Sequence, residues 1–258
     1  MSERMHRGPI GWLLATLVPS LVGFAIAAAA HWPGSPVDCT DSCFCEAAHG
    51  GWIRQPSNTF SNAVPVALAI VAAWQAVAVP ATSARGVFVR AFPVALAFQG
   101  VGSMFFHASL VEWGGRLDSL SMLGVMALFF AVNLSRATKG VSGTRVLATW
   151  LGITLAGLPV SWLAAKAVPL VMFVLLIANL SVEVVLSKRQ RTDDRWLRGG
   201  LLVFLASNVV WTLSVAPTEP LCSPTSLLQG HAVWHAGAGV AVFLLGRHFE
   251  RALATIQS

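Results

Sequence analysis

The sequence predicts an all-α polytopic membrane bundle, a seven-helix core with one extra N-terminal helix, eight spans in all. Three observations support this. Only 11% of the 258 residues are charged against 55% hydrophobic, with a mean hydropathy of +0.69, whereas soluble domains carry about 25% charged residues. The apolar residues gather in long runs instead of at helical or strand periods, and each run approaches the ~20 residues needed to cross the hydrocarbon core. The basic residues fall almost entirely on alternate connections, the asymmetry of the positive-inside rule.

The spans follow in order. The run 11–31 comes after Arg4 and Arg7. Its basic flank and Ala28-Ala29-Ala30 resemble a signal peptide, but the run exceeds the roughly 7–15 residues of such an apolar region, so it is expected to stay as a membrane helix. The second span is 58–79; the third, 87–110, starts beside Arg90; the fourth, 116–134, re-enters after Arg116. The fifth and sixth, 144–163 and 167–187, flank Lys166; the seventh, 197–216, begins near Arg195 and Arg198; the eighth, 229–247, runs from Gln229 to Arg247. With the N-terminus inside, every Lys and Arg except Arg54, Arg116 and Lys166 lies on the inner side. Both termini are then cytoplasmic. The short connections imply one transmembrane domain over 1–258, with 11–31 as the additional helix and 58–248 as the core. The net charge of +6 is explained by inner loops facing anionic membrane lipids, Lys188 to Arg198 above all, so no nucleic-acid partner is implied. The sequence specifies no oligomeric state.

This topology puts Cys39, Cys43 and Cys45 in the first outer loop and Cys222 in the last. An oxidising exterior favours disulfides, and an even count permits complete pairing. A bridge between the two loops would tie the ends of the bundle together. Zinc binding by these thiols is the competing reading, and the spacing suits it poorly.

The polar residues inside the apolar runs are the candidates for chemistry, because ionisable groups there are costly. The third span carries Ser103 and His107 one turn apart on one face, His107 in its outer turn. Asp118 opens the fourth span, and His231 and His235 lie in the first two turns of the eighth. Five polar residues from three helices thus share one depth, in a topology fixed by Lys and Arg alone. Three histidines with an open position are a common catalytic zinc set. Each residue also has a plain reading: an interfacial histidine, an Asp118 that caps a helix or pairs with Arg116, a Ser103 that bonds its own helix. Glu183 is expected to reach Lys188 or Arg189. His6, His31, His49 and His248 have no partner spacing, and Asn133, Asn179 and Asn208 suit interhelical hydrogen bonds. A retinal protein is disfavoured because the final span has no lysine.

These residues, in this order, resemble the alkaline ceramidases of the CREST superfamily of seven-helix membrane hydrolases, which includes adiponectin-receptor-like and Per1-type proteins. Cys45-Glu46 with Asn58-Thr59-Phe60-Ser61-Asn62 looks like the family's opening C-E … N-T-x-S-N, and Gln229-Gly230-His231-Ala232-Val233-Trp234-His235 like its closing motif. The resemblance covers about residues 43–248. It implies zinc at His107, His231 and His235, with Asp118 acting on the metal's water and Ser103 assisting at the metal or the oxyanion. It implies a Cys45–Cys222 bridge, which leaves Cys39 to pair with Cys43. Some members also hold calcium on an acidic cluster in the opening segment. Here Glu46 remains, but Ala48 and Gln55 replace other ligands, and Asp38 and Asp41 fit only a different loop path. Calcium is therefore doubtful.

The expected function is a zinc-dependent intramembrane amidase that hydrolyses the N-acyl bond of ceramide-like lipids, with its site toward the outer face. The rivals are an adiponectin-receptor-like lipid-binding receptor and a Per1-like lipid-remodelling hydrolase. Acyl length and headgroup preference are not encoded legibly.

Overall fold

A computed structural model describes residues 3–37, 44–76, 79–138, 142–164, 167–190, 194–216 and 218–257. Within these the chain is a polytopic helical bundle: α1 (Glu3–Ala29), α2 (Pro56–Ser61), α3 (Ala63–Trp74), α4 (Ala84–Ser109), α5 (Glu112–Ala137), α6 (Gly143–Leu163), α7 (Val168–Gln190), α8 (Arg195–Thr212) and α9 (Gly230–Gln257). The predicted second span is therefore broken at Asn62 into α2 and α3 and stops at Trp74. The last helix continues well beyond the predicted 247, because Arg247, Glu250 and their neighbours extend it as a polar end. Five helices, namely α1 from Gly8 onward, α4, α5, α6 and α7, are long and apolar enough to cross a membrane. Several such helices make this a membrane protein. The remaining three segments fall short for local reasons: the break at Asn62, basic residues at the start of α8, and paired histidines and charges in α9.

α4 is the central helix and touches α1, α2, α3, α5, α6 and α9. Its glycines explain how. A side chain at Gly100 would meet the Asn62 carbonyl at 2.8 Å, and one at Gly102 would meet Ser121 Cβ at 2.8 Å. Small residues let backbones approach closely where lipid supplies no hydrophobic drive between helices. Gly102 thus brings α5 against the turn of α4 that carries Ser103. One half of the bundle is filled by stacked Phe88, Phe92, Phe129 and Phe249. On α1 and α7 the apolar side chains point outward instead, with Leu14, Val18, Leu21, Phe173 and Val174 exposed as lipid-facing residues are. α1 docks on α4 through Phe24 and Phe105, and its C-terminal Trp32 donates from Nε1 to the Trp52 carbonyl at 2.6 Å.

The basic helix ends meet at one end of the bundle. Arg85 pairs with Glu250 there, and Arg251 lies over Trp196. Just inside it is a buried network that corrects two sequence expectations. Glu183 does not use Lys188 or Arg189; it bonds Arg136 Nη1 at 2.5 Å, His248 Nε2 at 2.7 Å and Ser187 at 2.7 Å. His248, for which no partner was expected, is that network's third member. Asn133 and Asn179 do join helices as expected, with Asn133 Nδ2 donating to Asn179 and Asn179 Nδ2 donating to the Met126 carbonyl at 3.1 Å. Asn208 instead bonds the Phe204 carbonyl of its own helix.

Candidate metal centre

At the opposite end, α9 presents His231 and His235 one turn apart on one face, and α4 presents His107 in its last turn. His107 Nε2 and His231 Nε2 are 3.2 Å apart. The three residues each offer a ring nitrogen within 4.8 Å of the others, and all three are buried.

Hydrogen bonds at the far ring nitrogens fix which atoms face one another. His107 Nδ1 lies 2.7 Å from Gln55 Oε1, while Gln55 Nε2 donates to the Glu46 carbonyl at 2.8 Å. The amide is thereby oriented, its oxygen can only accept, and His107 must carry its proton on Nδ1. His235 Nδ1 lies 3.0 Å from the Asn58 carbonyl, the Ser61 hydroxyl and Asn62 Nδ2; a proton on Nδ1 donates to the carbonyl and leaves Nε2 with a lone pair. His231 Nδ1 has no hydrogen-bond partner among the described residues. Buried lone pairs converging this closely repel unless a proton or cation lies between them. The donor set fits a divalent cation that favours imidazole, and the outer hydrogen bonds are those that orient metal-ligating histidines.

The loop above the histidines is built to hold these partners in place. Glu46 caps α2, accepting from Ser57 N at 2.7 Å and Asn58 N at 2.8 Å, where the exposed helix amides favour a carboxylate. Both Glu46 oxygens are thus engaged in helix capping. Cys45 is bonded to Cys222 across 177 residues, with Cα atoms 5.5 Å apart. Cys39 and Cys43, like Asp38 and Asp41, lie outside the described residues. Phe44 adopts a left-handed backbone (φ 53°) that aims its ring at the site, stacked on His231 at 4.1 Å and edge-on to His107 at 4.9 Å. On the other side, Gln229 Nε2 donates to the Ser223 and Ser226 carbonyls and closes the last loop onto α9.

Ser103 Oγ lies 3.3 Å from His235 Nε2, and the Asp118 carboxylate is close enough to Ser103 to interact with its hydroxyl. The plain readings of Asp118 fail: α5 begins earlier at Glu112, and Arg116 pairs with Glu112 at 3.1 Å and sits over Trp162 at 4.2 Å. All five residues singled out in the sequence therefore meet. Sequence reading missed the positioning roles of Gln55, Asn58 and Phe44. The N-T-x-S-N segment and the Phe-Cys-Glu run beside it were the available signals, but they do not say which histidine each residue would serve.

A mainly apolar cavity opens one turn inward from this cluster and continues between α5, α7, α8 and α9. Met122, Val125, Phe204 and Trp234 line its upper part, and Leu201, Leu245 and Phe249 its lower part.

The family model described as Ceramidase matches residues 41–256. No curated protein matches the chain.

Proposed function

The chain belongs to the ceramidase family, and on that premise we propose that it is a zinc-dependent intramembrane amidohydrolase that cleaves the N-acyl bond of ceramide-like lipids. The observation that carries this reading is the convergence of three buried histidines beside Ser103 and Asp118, directly above an elongated apolar cavity.

His107, His231 and His235 would hold the metal. A zinc ion there supplies Lewis acidity, polarising the scissile carbonyl and bringing the pKa of a water to about 7. Asp118 accepts the proton of the attacking water and passes it to the leaving nitrogen, so that amide and water become carboxylic acid and amine. Ser103 donates a hydrogen bond from its hydroxyl to the carbonyl oxygen as that atom gains negative charge. Gln55 and the Asn58 carbonyl keep the Nδ1 protons of His107 and His235 in place. The cavity takes a lipid chain: from Trp234 to Phe249 the helix rises ~22 Å, more than half of the ~30 Å hydrocarbon core. Phe44 covers the histidines from the loop side and limits access of bulk water.

The distribution of Lys and Arg supports cytoplasmic termini and a site toward the outer face. The family match begins at residue 41, beyond α1, which supports reading α1 as an addition to a seven-helix hydrolase core. Purified protein incubated with a panel of N-acyl lipids should release fatty acid, stop on chelation, and recover on zinc addition. Zinc-loaded protein that releases no fatty acid from any N-acyl sphingoid base would overturn the reading in favour of a lipid-binding receptor.

A further inference from the structure

One polar side chain in the cavity has no structural explanation. Three of the side chains lining it carry oxygen acceptors: Gln99, Asn179 and Glu183. Asn179 is engaged by Asn133, and Glu183 by Arg136, His248 and Ser187. Gln99 Oε1 is buried and has no hydrogen-bond partner among the described residues. A buried acceptor left unpaired is unfavourable, and native proteins keep few of them. On α4 an apolar side chain at this position would be easier to accommodate.

Its place in the bundle indicates what it serves. Gln99 lies one turn inward from Ser103, a rise of ~6 Å along the helix. Met122 lies one turn inward from Asp118, and Ala238 just under a turn inward from His235; all three line the same cavity. Gln99 therefore sits at the mouth of the cavity, beneath the scissile position, where the first few bonds of an entering chain must pass.

Resting on the proposed reaction, we propose that Gln99 is a specificity-determining residue that selects lipids carrying a hydroxyl beyond those common to all sphingoid bases, a few bonds from the scissile amide. The amide chemistry favours this group over others. A carboxamide offers a carbonyl acceptor and N–H donors side by side, and a hydroxyl both donates and accepts. An ether or ester oxygen brings no proton for Oε1. A cation would enter an apolar cavity in which the one carboxylate among the described lining residues, Glu183, is already paired. The hydroxyl can belong to the acyl chain or to the amine base, and the two sources give separate outcomes.

The test uses full-length, metal-loaded protein and N-acyl sphingoid lipids of one chain length. One arm compares unsubstituted, 2-hydroxy and 3-hydroxy acyl chains; the other compares bases with and without an additional hydroxyl. The parent protein should favour the hydroxylated member of one arm by roughly 3–10-fold in kcat/KM, the range of one hydrogen bond. Gln99→Leu should bring that ratio toward unity by slowing the hydroxylated lipid. Gln99→Met repeats the test should the leucine variant fold poorly. Equilibrium binding of the corresponding free fatty acids and bases gives the same ratio without turnover. If no lipid is cleaved, the proposed reaction fails and the binding ratio alone decides the role of Gln99. Equal treatment of hydroxylated and plain lipids by the parent protein, or a preference that survives both substitutions, would overturn the proposal.

Discussion

Replacing Gln55 with leucine tests whether the hydrogen bonds behind the histidines set their affinity for metal. Gln55 is 1% exposed, and its Oε1 lies 2.7 Å from His107 Nδ1. Leucine keeps most of the volume and removes the acceptor. His107 is then free to carry its proton on Nε2, the nitrogen that faces His231 and must be bare to bind a cation. Loss of such an outer partner typically costs 10–100-fold in metal affinity, about 1.4–2.8 kcal/mol. The same substitution strips the Glu46 carbonyl of its donor at 2.8 Å. That unpaired carbonyl adds a destabilisation of about 1–3 kcal/mol, which lowers Tm without itself weakening the metal. The two effects separate experimentally. Zinc competition against a chromophoric chelator in detergent reads the first, and thermal unfolding of the metal-free protein reads the second. A parent-like zinc Kd in a variant with lowered Tm would refute the reasoning, because the bond would then be structural only.

The remaining predictions concern the ligands, the chemistry, the buried network and the loops. His231→Ala and His235→Ala should each lose most bound zinc by elemental analysis; full retention in both would sink the ligand assignment. Asp118→Asn should lower turnover of a ceramide by about 10²–10⁴-fold, the usual contribution of general acid–base catalysis, while zinc stays; Ser103→Ala should cost a smaller factor, and parent-like turnover in Asp118→Asn would rule out the mechanism. Glu183→Ala should destabilise the bundle by about 3–5 kcal/mol, because it strands the buried Arg136 charge; unfolding in detergent that matches the parent would contradict the network's role. Cys222→Ser should cost about 2–4 kcal/mol, the common range for a disulfide, and non-reducing peptide maps of the parent should show Cys45 joined to Cys222.

How much was legible in advance depended on the range of the interaction. Membrane helices are local: an apolar run of sufficient length needs no partner to be recognised, and basic flanks orient it. That physics gave the bundle and the grouping of Ser103, His107, Asp118, His231 and His235 at one end of it. The i,i+4 spacing of His231 and His235 fixed their common face without reference to any other helix. What failed was contact across the bundle. Glu183 was assigned to lysine and arginine neighbours in sequence, but burial made it seek Arg136 and His248 on other helices, since a buried carboxylate must be paired by whichever cations the fold brings near. The interruption at Asn62 was missed as well, because hydropathy does not tell the separate polar turn of α2, Pro56–Ser61, from the start of the apolar run in α3. Gln55, Phe44 and Gln99 gained their roles only from where the loop and helix faces came to rest. Sequence alone determined that the chain is a bundle of apolar helices and that the polar candidates share one end of it. Tertiary structure decided which of them touch, because hydrogen bonds and ring contacts act over a few ångströms and depend on helix rotation and close approach, as at Gly100 and Gly102, that no local pattern encodes.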